Sequence, residues 1–129
     1  MDKPLNKRRV TVCLVDDDAL LLRATGRLLS GEGWRVETFV DPHEFLAYAE
    51  TYRPKVAVVD IIMPTMNGLD VQGRLRAVSP TTQVIVLTSK QDPSVRSRAM
   101  QAGASAFFTK PVADTVFLAG IETAASRSR

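Results

Sequence analysis

The sequence predicts an α/β protein: a doubly wound, five-stranded parallel sheet, (βα)5, with helices on both faces. Three observations predict it. Apolar runs of strand length alternate five times with segments of helical period. Several runs are apolar straight through their centres, as strands covered on both faces must be. Each run is followed by one helix-period segment, so successive strands are joined by crossovers and lie parallel.

Val10–Val15 (VTVCLV) is the first strand, rich in β-branched residues. Residues 18–30 follow as a helix, with Leu21, Ala24 and Leu28 on one face, and Gly31 and Gly33 stop it. Trp34–Phe39 alternates weakly and forms the second strand. Asp41-Pro42-His43-Glu44 opens the next helix: an aspartate cap, proline at the first helical position, a glutamate at the third. Lys55–Asp60 (KVAVVD) is the third strand. Gly68–Val78 is a short helix, and Gln83–Thr88 (QVIVLT) is the fourth strand. Asp92-Pro93 repeats the cap-and-proline start, with Gly103 closing a helix over 93–102. Ala104–Thr109 is the fifth strand. Residues 112–126 form the last helix, with Val116, Gly120, Ile121 and Ala124 at helical spacing. Gly120 in its interior costs about 1 kcal/mol relative to alanine.

The chain has 129 residues, 45% hydrophobic and 24% charged, which fits one globular domain. Its single cysteine, Cys13, reads as a small buried hydrophobe; one cysteine builds no internal disulfide, which predicts a reducing compartment. Only about six apolar residues follow Lys7-Arg8-Arg9, too few for a signal peptide, and no run approaches the roughly 20 that a membrane helix needs. The expected location is cytoplasmic. The net charge of +3 lies in the ends: +3 in residues 1–9 and +2 in residues 127–129, leaving −2 for residues 10–126. The ends therefore read as frayed tails around one domain over 10–126. A body without a basic face predicts no direct nucleic-acid binding.

In a parallel sheet of this kind, sites form at the carboxyl ends of the strands. The first strand ends in Asp16-Asp17-Asp18, the third in Asp60, the fourth in Thr88-Ser89, the fifth in Lys110-Pro111. Asp18 alone reads as a helix cap. Acids gathered so closely repel unless a cation joins them. Carboxylates without histidine or cysteine favour a hard ion, Mg²⁺. A carboxylate, a metal, a hydroxyl and a lysine around one spot suit phosphoryl transfer onto Asp60. Thr88 would hydrogen-bond a phosphoryl oxygen, and Lys110 and the metal would neutralise the others. A haloacid-dehalogenase-type phosphatase would want Thr or Val where Asp16-Asp17-Asp18-Ala19 is followed by Leu20. A nucleotide-binding loop would not carry three aspartates. His43, the only histidine, stands at a predicted helix start far from the cluster and reads as exposed, which disfavours a catalytic triad or a histidine metal site.

Val15-Asp16-Asp17-Asp18, Asp60-Ile61-Ile62-Met63-Pro64-Thr65-Met66-Asn67-Gly68, Thr88-Ser89 and the run from Ala102 to Pro111 together resemble response-regulator receiver domains. The resemblance covers residues 9–126. It implies a flavodoxin-like (CheY-like) sheet and a phosphorylation switch rather than an enzyme acting on a diffusible substrate. It implies Asp60 as phosphoacceptor, with Mg²⁺ held by Asp17, by Asp16 through water, by Asp60 and by the Ile62 backbone carbonyl. Thr88 and Lys110 would contact the phosphoryl group, Phe107 would be the aromatic switch, and Lys110–Pro111 would be a cis peptide. The implied partners are a sensor histidine kinase or phosphotransfer protein upstream and an output protein or output domain downstream. Lys90, Arg96 and Arg98, opposite acids such as Asp92 and Asp114, read as solvated charges, or as salt bridges across a homodimer through the fourth helix, fifth strand and fifth helix. Two departures stand out. Ile62 is apolar where relatives often have a polar residue, which would slow loss of the phosphoryl group, and Phe107 has no hydroxyl. The competing expectations are a receiver-like docking module that is not phosphorylated, and the receiver part of a DNA-binding transcriptional regulator.

Overall fold

The computed structural model describes residues 5–127; parts of both expected tails, residues 1–4 and 128–129, lie outside them. Five strands, β1 (Thr11–Val15), β2 (Arg35–Phe39), β3 (Val56–Val59), β4 (Gln83–Thr88) and β5 (Ala106–Thr109), form one parallel sheet in the order β2-β1-β3-β4-β5. Five α-helices connect and follow them: α1 (Ala19–Gly31), α2 (Pro42–Tyr52), α3 (Gly68–Val78), α4 (Pro93–Gln101) and α5 (Asp114–Ala125). The doubly wound α/β fold is as the sequence predicts. No helix among the described residues is long and apolar enough to cross a membrane.

Strand pleating divides the core into two layers. Cys13, Val15, Ala57, Val59, Val84 and Val86 point to one face and pack against α2, α3 and α4 through Phe45, Ala49, Val71, Leu75, Val95 and Ala99. Val12, Leu14, Val56, Val58, Ile85 and Leu87 point to the other face, against Leu22 and Leu29 of α1 and Phe117, Ile121, Ala124 and Ala125 of α5.

Local chemistry sets the helix starts. Asp41 accepts from the His43 N–H at 2.9 Å and Asp92 from the Ser94 N–H at 2.9 Å, each followed by proline. Three details differ from the sequence expectation. The buried stripe of α1 centres on Leu22 and Leu29 rather than Leu21, Ala24 and Leu28, because the helix leans on its neighbours by that edge. In α5, Phe117 is buried and Val116 is exposed. Residues expected to fray, Lys7–Arg9, form a 3-10 turn, and Lys7 Nζ stands 5.3 Å over the ring of Trp34, which lies just before β2.

Candidate functional site

Asp16 and Asp60 directly follow β1 and β3, the adjacent strands between which the chain reverses its direction across the sheet. A crevice opens at the carboxyl ends of such a pair. The Asp60 N–H donates to the Val15 carbonyl at 3.1 Å, and the Asp16 N–H to the Phe39 carbonyl at 3.1 Å, so both residues continue the sheet's ladder. Both side chains are nearly buried, at 6% and 8% exposure, while Asp17 is exposed.

One carboxylate oxygen from each of Asp16, Asp17 and Asp60 lies within 4.8 Å of the others. Like charges at that range are unfavourable without a cation between them. The donors are all oxygens, so the group can hold a hard divalent metal ion. Lys110, just after β5 and joined to Pro111 by a cis peptide bond, contributes a positive charge. Its Nζ is 2.9 Å from Asp16 Oδ2 and 3.5 Å from Asp60 Oδ2. Burial pushes the Asp16 carboxyl above the usual carboxylate range; hydrogen bonds from the Asp18 N–H and from Lys110 pull it back, and the Asp60 charge adds to the rise. Asp18 plays another part. Its Oδ1 accepts from the Leu20 and Leu21 N–H groups at 3.1 Å and caps α1, as its position alone suggested.

The loop after Asp60 is closely folded. The Ile62 N–H donates to Asp60 Oδ1 at 3.3 Å. Met63 and Met66 are sunk in the core, whereas the Ile62 side chain is 52% exposed. The Gly68 N–H donates to the Ile61 carbonyl at 2.9 Å. A Cβ on Gly68 would sit 2.9 Å from Ile61 Cα and closer still to the Asp60 carbonyl, so only glycine fits where the loop doubles back.

Thr88 is fully buried at the end of β4, and its Oγ1 accepts from the Lys90 N–H at 3.3 Å. Phe107 lies next door on β5, beside Val86, 7% exposed and packed with Val95 and Ala99 of α4. The structure thus brings Asp16, Asp17, Asp60 and Lys110 into direct proximity. Thr88 and Phe107 stand on the two strands beyond, with Thr88 bonded to Lys90 rather than to an acid. His43 is exposed, its Nδ1 3.2 Å from Asp41.

One residue takes a place the sequence did not suggest. Arg96 was expected among solvated charges facing Asp92 and Asp114. Its Nη1 instead donates to the Phe107 carbonyl at 3.2 Å, and its guanidinium carbon lies 5.6 Å from the centre of the Phe107 ring. Asp92 is engaged in capping α4, and among the described residues none of Lys90, Arg96 and Arg98 pairs with an acid. The available signal was the helix register: with Val95 and Ala99 facing inward, Arg96 flanks the buried edge.

Comparisons with known proteins agree with this geometry. Residues 12–122 match the family model described as the response regulator receiver domain. The chain is 38% identical over 102 residues to the probable transcriptional regulatory protein TcrX of Mycobacterium tuberculosis, covering 79% of this chain and 44% of that protein. It is 36% identical over 117 residues to the transcriptional regulatory protein KdpE of the same organism, covering 91% of this chain and 51% of that one. The chain thus spans about half the length of these relatives. Among solved structures it resembles the BeF3-activated receiver domain of DrrB from Thermotoga maritima, with a TM-score of 0.82, 29% identity, and coverage of 92% of this chain and 98% of that one. A match running through nearly every strand and helix, joined to this fold, establishes that the chain belongs to the response regulator receiver domains, in which phosphorylation on an aspartate is the family function.

Proposed function

We propose that Asp60 is the phosphorylated aspartate of this chain, fed by a histidine kinase or phosphotransfer protein and read by an output partner or output domain. The observation that carries the reading is the 4.8 Å grouping of Asp16, Asp17 and Asp60 with Lys110 Nζ 3.5 Å from Asp60. An Asp60 carboxylate oxygen attacks the phosphorus of a phosphohistidine. An O–P bond forms, the N–P bond breaks, and the imidazole leaves and takes up a proton. Asp16, Asp17, Asp60 and the Ile62 backbone carbonyl would hold Mg²⁺, which when bound neutralises charge on the phosphoryl oxygens. Lys110 already touches Asp60 and takes a second oxygen. Thr88 turns its hydroxyl from Lys90 to a third.

Phosphorylation adds roughly −1.5 to −2 charge at the end of β3. The shift of Thr88 opens space that Phe107 fills from the inside, and the change reaches the α4-β5-α5 face. That face combines basic Lys90 and Arg98 with acidic Asp114 and Glu122 around the exposed Met100 and Val116, a pattern suited to pairing with a second copy.

The test compares wild type with Asp60→Asn, each given a small phosphodonor, or beryllofluoride, with Mg²⁺. Wild type should gain one phosphoryl group by intact mass, shift its Phe107 ring resonances and sediment as a larger species; the variant should do none of these. A wild-type chain that stays unmodified and unshifted would leave the unphosphorylated docking module as the better reading. Equal mass gain by the variant would place the acceptor elsewhere.

A further inference from the structure

Phe107 stands on β5, an edge strand with β4 on one side only. Backbone groups on the open side of such a strand have no strand partner. The Lys110 N–H points into the sheet, to the Thr88 carbonyl at 2.8 Å. Alternation along the strand therefore turns the Phe107 backbone outward, to the open edge. There its carbonyl receives the Arg96 guanidinium at 3.2 Å, and the same guanidinium lies 5.6 Å from the ring centre. One planar group thus binds the backbone and covers the ring of a single residue, a double contact that suits arginine's fork and its affinity for aromatic faces.

The ring belongs to the buried cluster that also holds Val86, Val95 and Ala99. Moving the ring out of this cluster would cost the Arg96 guanidinium its contact with the ring. We propose that Arg96 is a latch that holds Phe107 in its inward position. This rests on the reading above, in which inward Phe107 accompanies the phosphorylated state. The double contact goes with a ring that is only 7% exposed. It biases the switch toward its active arrangement, and by linkage tightens the hold on a phosphoryl mimic by the same factor. Arg96 touches neither the acids nor Lys110, so it acts as a positioning residue, not a catalytic one.

The experiment measures beryllofluoride affinity in Mg²⁺ and the Phe107 ring environment by NMR, in the whole chain. Arg96→Gln removes both contacts. Arg96→Lys keeps a donor and a cation. Arg27→Gln removes the same charge from an exposed residue of α1. Arg96→Gln is expected to weaken beryllofluoride about fivefold and to mobilise the free-state ring; Arg96→Lys should fall between it and wild type, and Arg27→Gln should stay within about twofold of wild type. If Arg96→Gln matches Arg27→Gln in affinity and ring position, the change is simple charge removal and the latch is wrong. If Asp60→Asn binds beryllofluoride as tightly as wild type does, the switch reading itself falls and takes the latch with it.

Discussion

Ile62 leaves its side chain 52% exposed two positions after a nearly buried carboxylate, while its N–H is 3.3 Å from that carboxylate. Loss of the phosphoryl group needs a water lined up behind the phosphorus. A polar side chain at this spot can hold such a water; isoleucine offers it no hydrogen bond and shields it. Ile62→Asn should therefore speed dephosphorylation about fivefold, the worth of roughly 1 kcal/mol for one added hydrogen bond. Following the decay of phosphorylated protein by intact mass checks it, and a slower variant would sink the idea. Lys110 makes a different argument at the same scale. Touching both Asp16 and Asp60, it compensates two buried charges at once, and no single-residue reading of a lysine at a strand end would have assigned it both.

The helices separate two kinds of glycine. Gly73 in α3 has nothing within 4 Å of where a Cβ would stand, whereas a Cβ on Gly120 in α5 would meet the Phe108 ring at 2.8 Å. Gly73→Ala should then stabilise the fold by about 0.5–1 kcal/mol, the helix-propensity difference. Gly120→Ala starts with the same gain but must push back a ring wedged between β5 and α5, and should end about 1 kcal/mol less stable. Urea unfolding midpoints of the two variants, moving in opposite directions, test the pair; equal shifts would mean Phe108 yields freely. The glycine at 120 was legible in the sequence only as a cost, because its reason is a contact with a residue on another element. The same divide runs through the whole reading. Cap-and-proline starts such as Asp41-Pro42 and Asp92-Pro93 are local chemistry, so α2 and α4 begin where the sequence put them. The apolar runs marked every strand, and the strand-end rule gathered Asp16, Asp17, Asp60 and Lys110. Which edge of α1 is buried, the exposure of Val116 and the engagement of Arg96 with Phe107 depend on how helices lean on the sheet, and periodicity alone does not carry that.

For the molecule as a whole, the function proposed for the acid group sets it against stability. Lys110 contacts Asp16 and Asp60, but Asp17 joins the group within 4.8 Å and among the described residues has no cation beside it. At such a distance one uncompensated pair costs about 1 kcal/mol even when well solvated. A fold built only to persist would not keep it, and active sites commonly retain strain of this kind. Asp17→Asn should raise thermal stability in the presence of a chelator by about 1 kcal/mol, or about 4 °C in a domain of this size. Added Mg²⁺ reverses the comparison. If the three carboxylates share the ion as proposed, wild type should gain stability from it by mass action, while the variant, one carboxylate poorer, should gain less. Melting curves of both proteins across a Mg²⁺ titration should therefore cross. Parallel curves, or a variant no more stable than wild type in chelator, would show that the three carboxylates neither burden the fold nor share a metal.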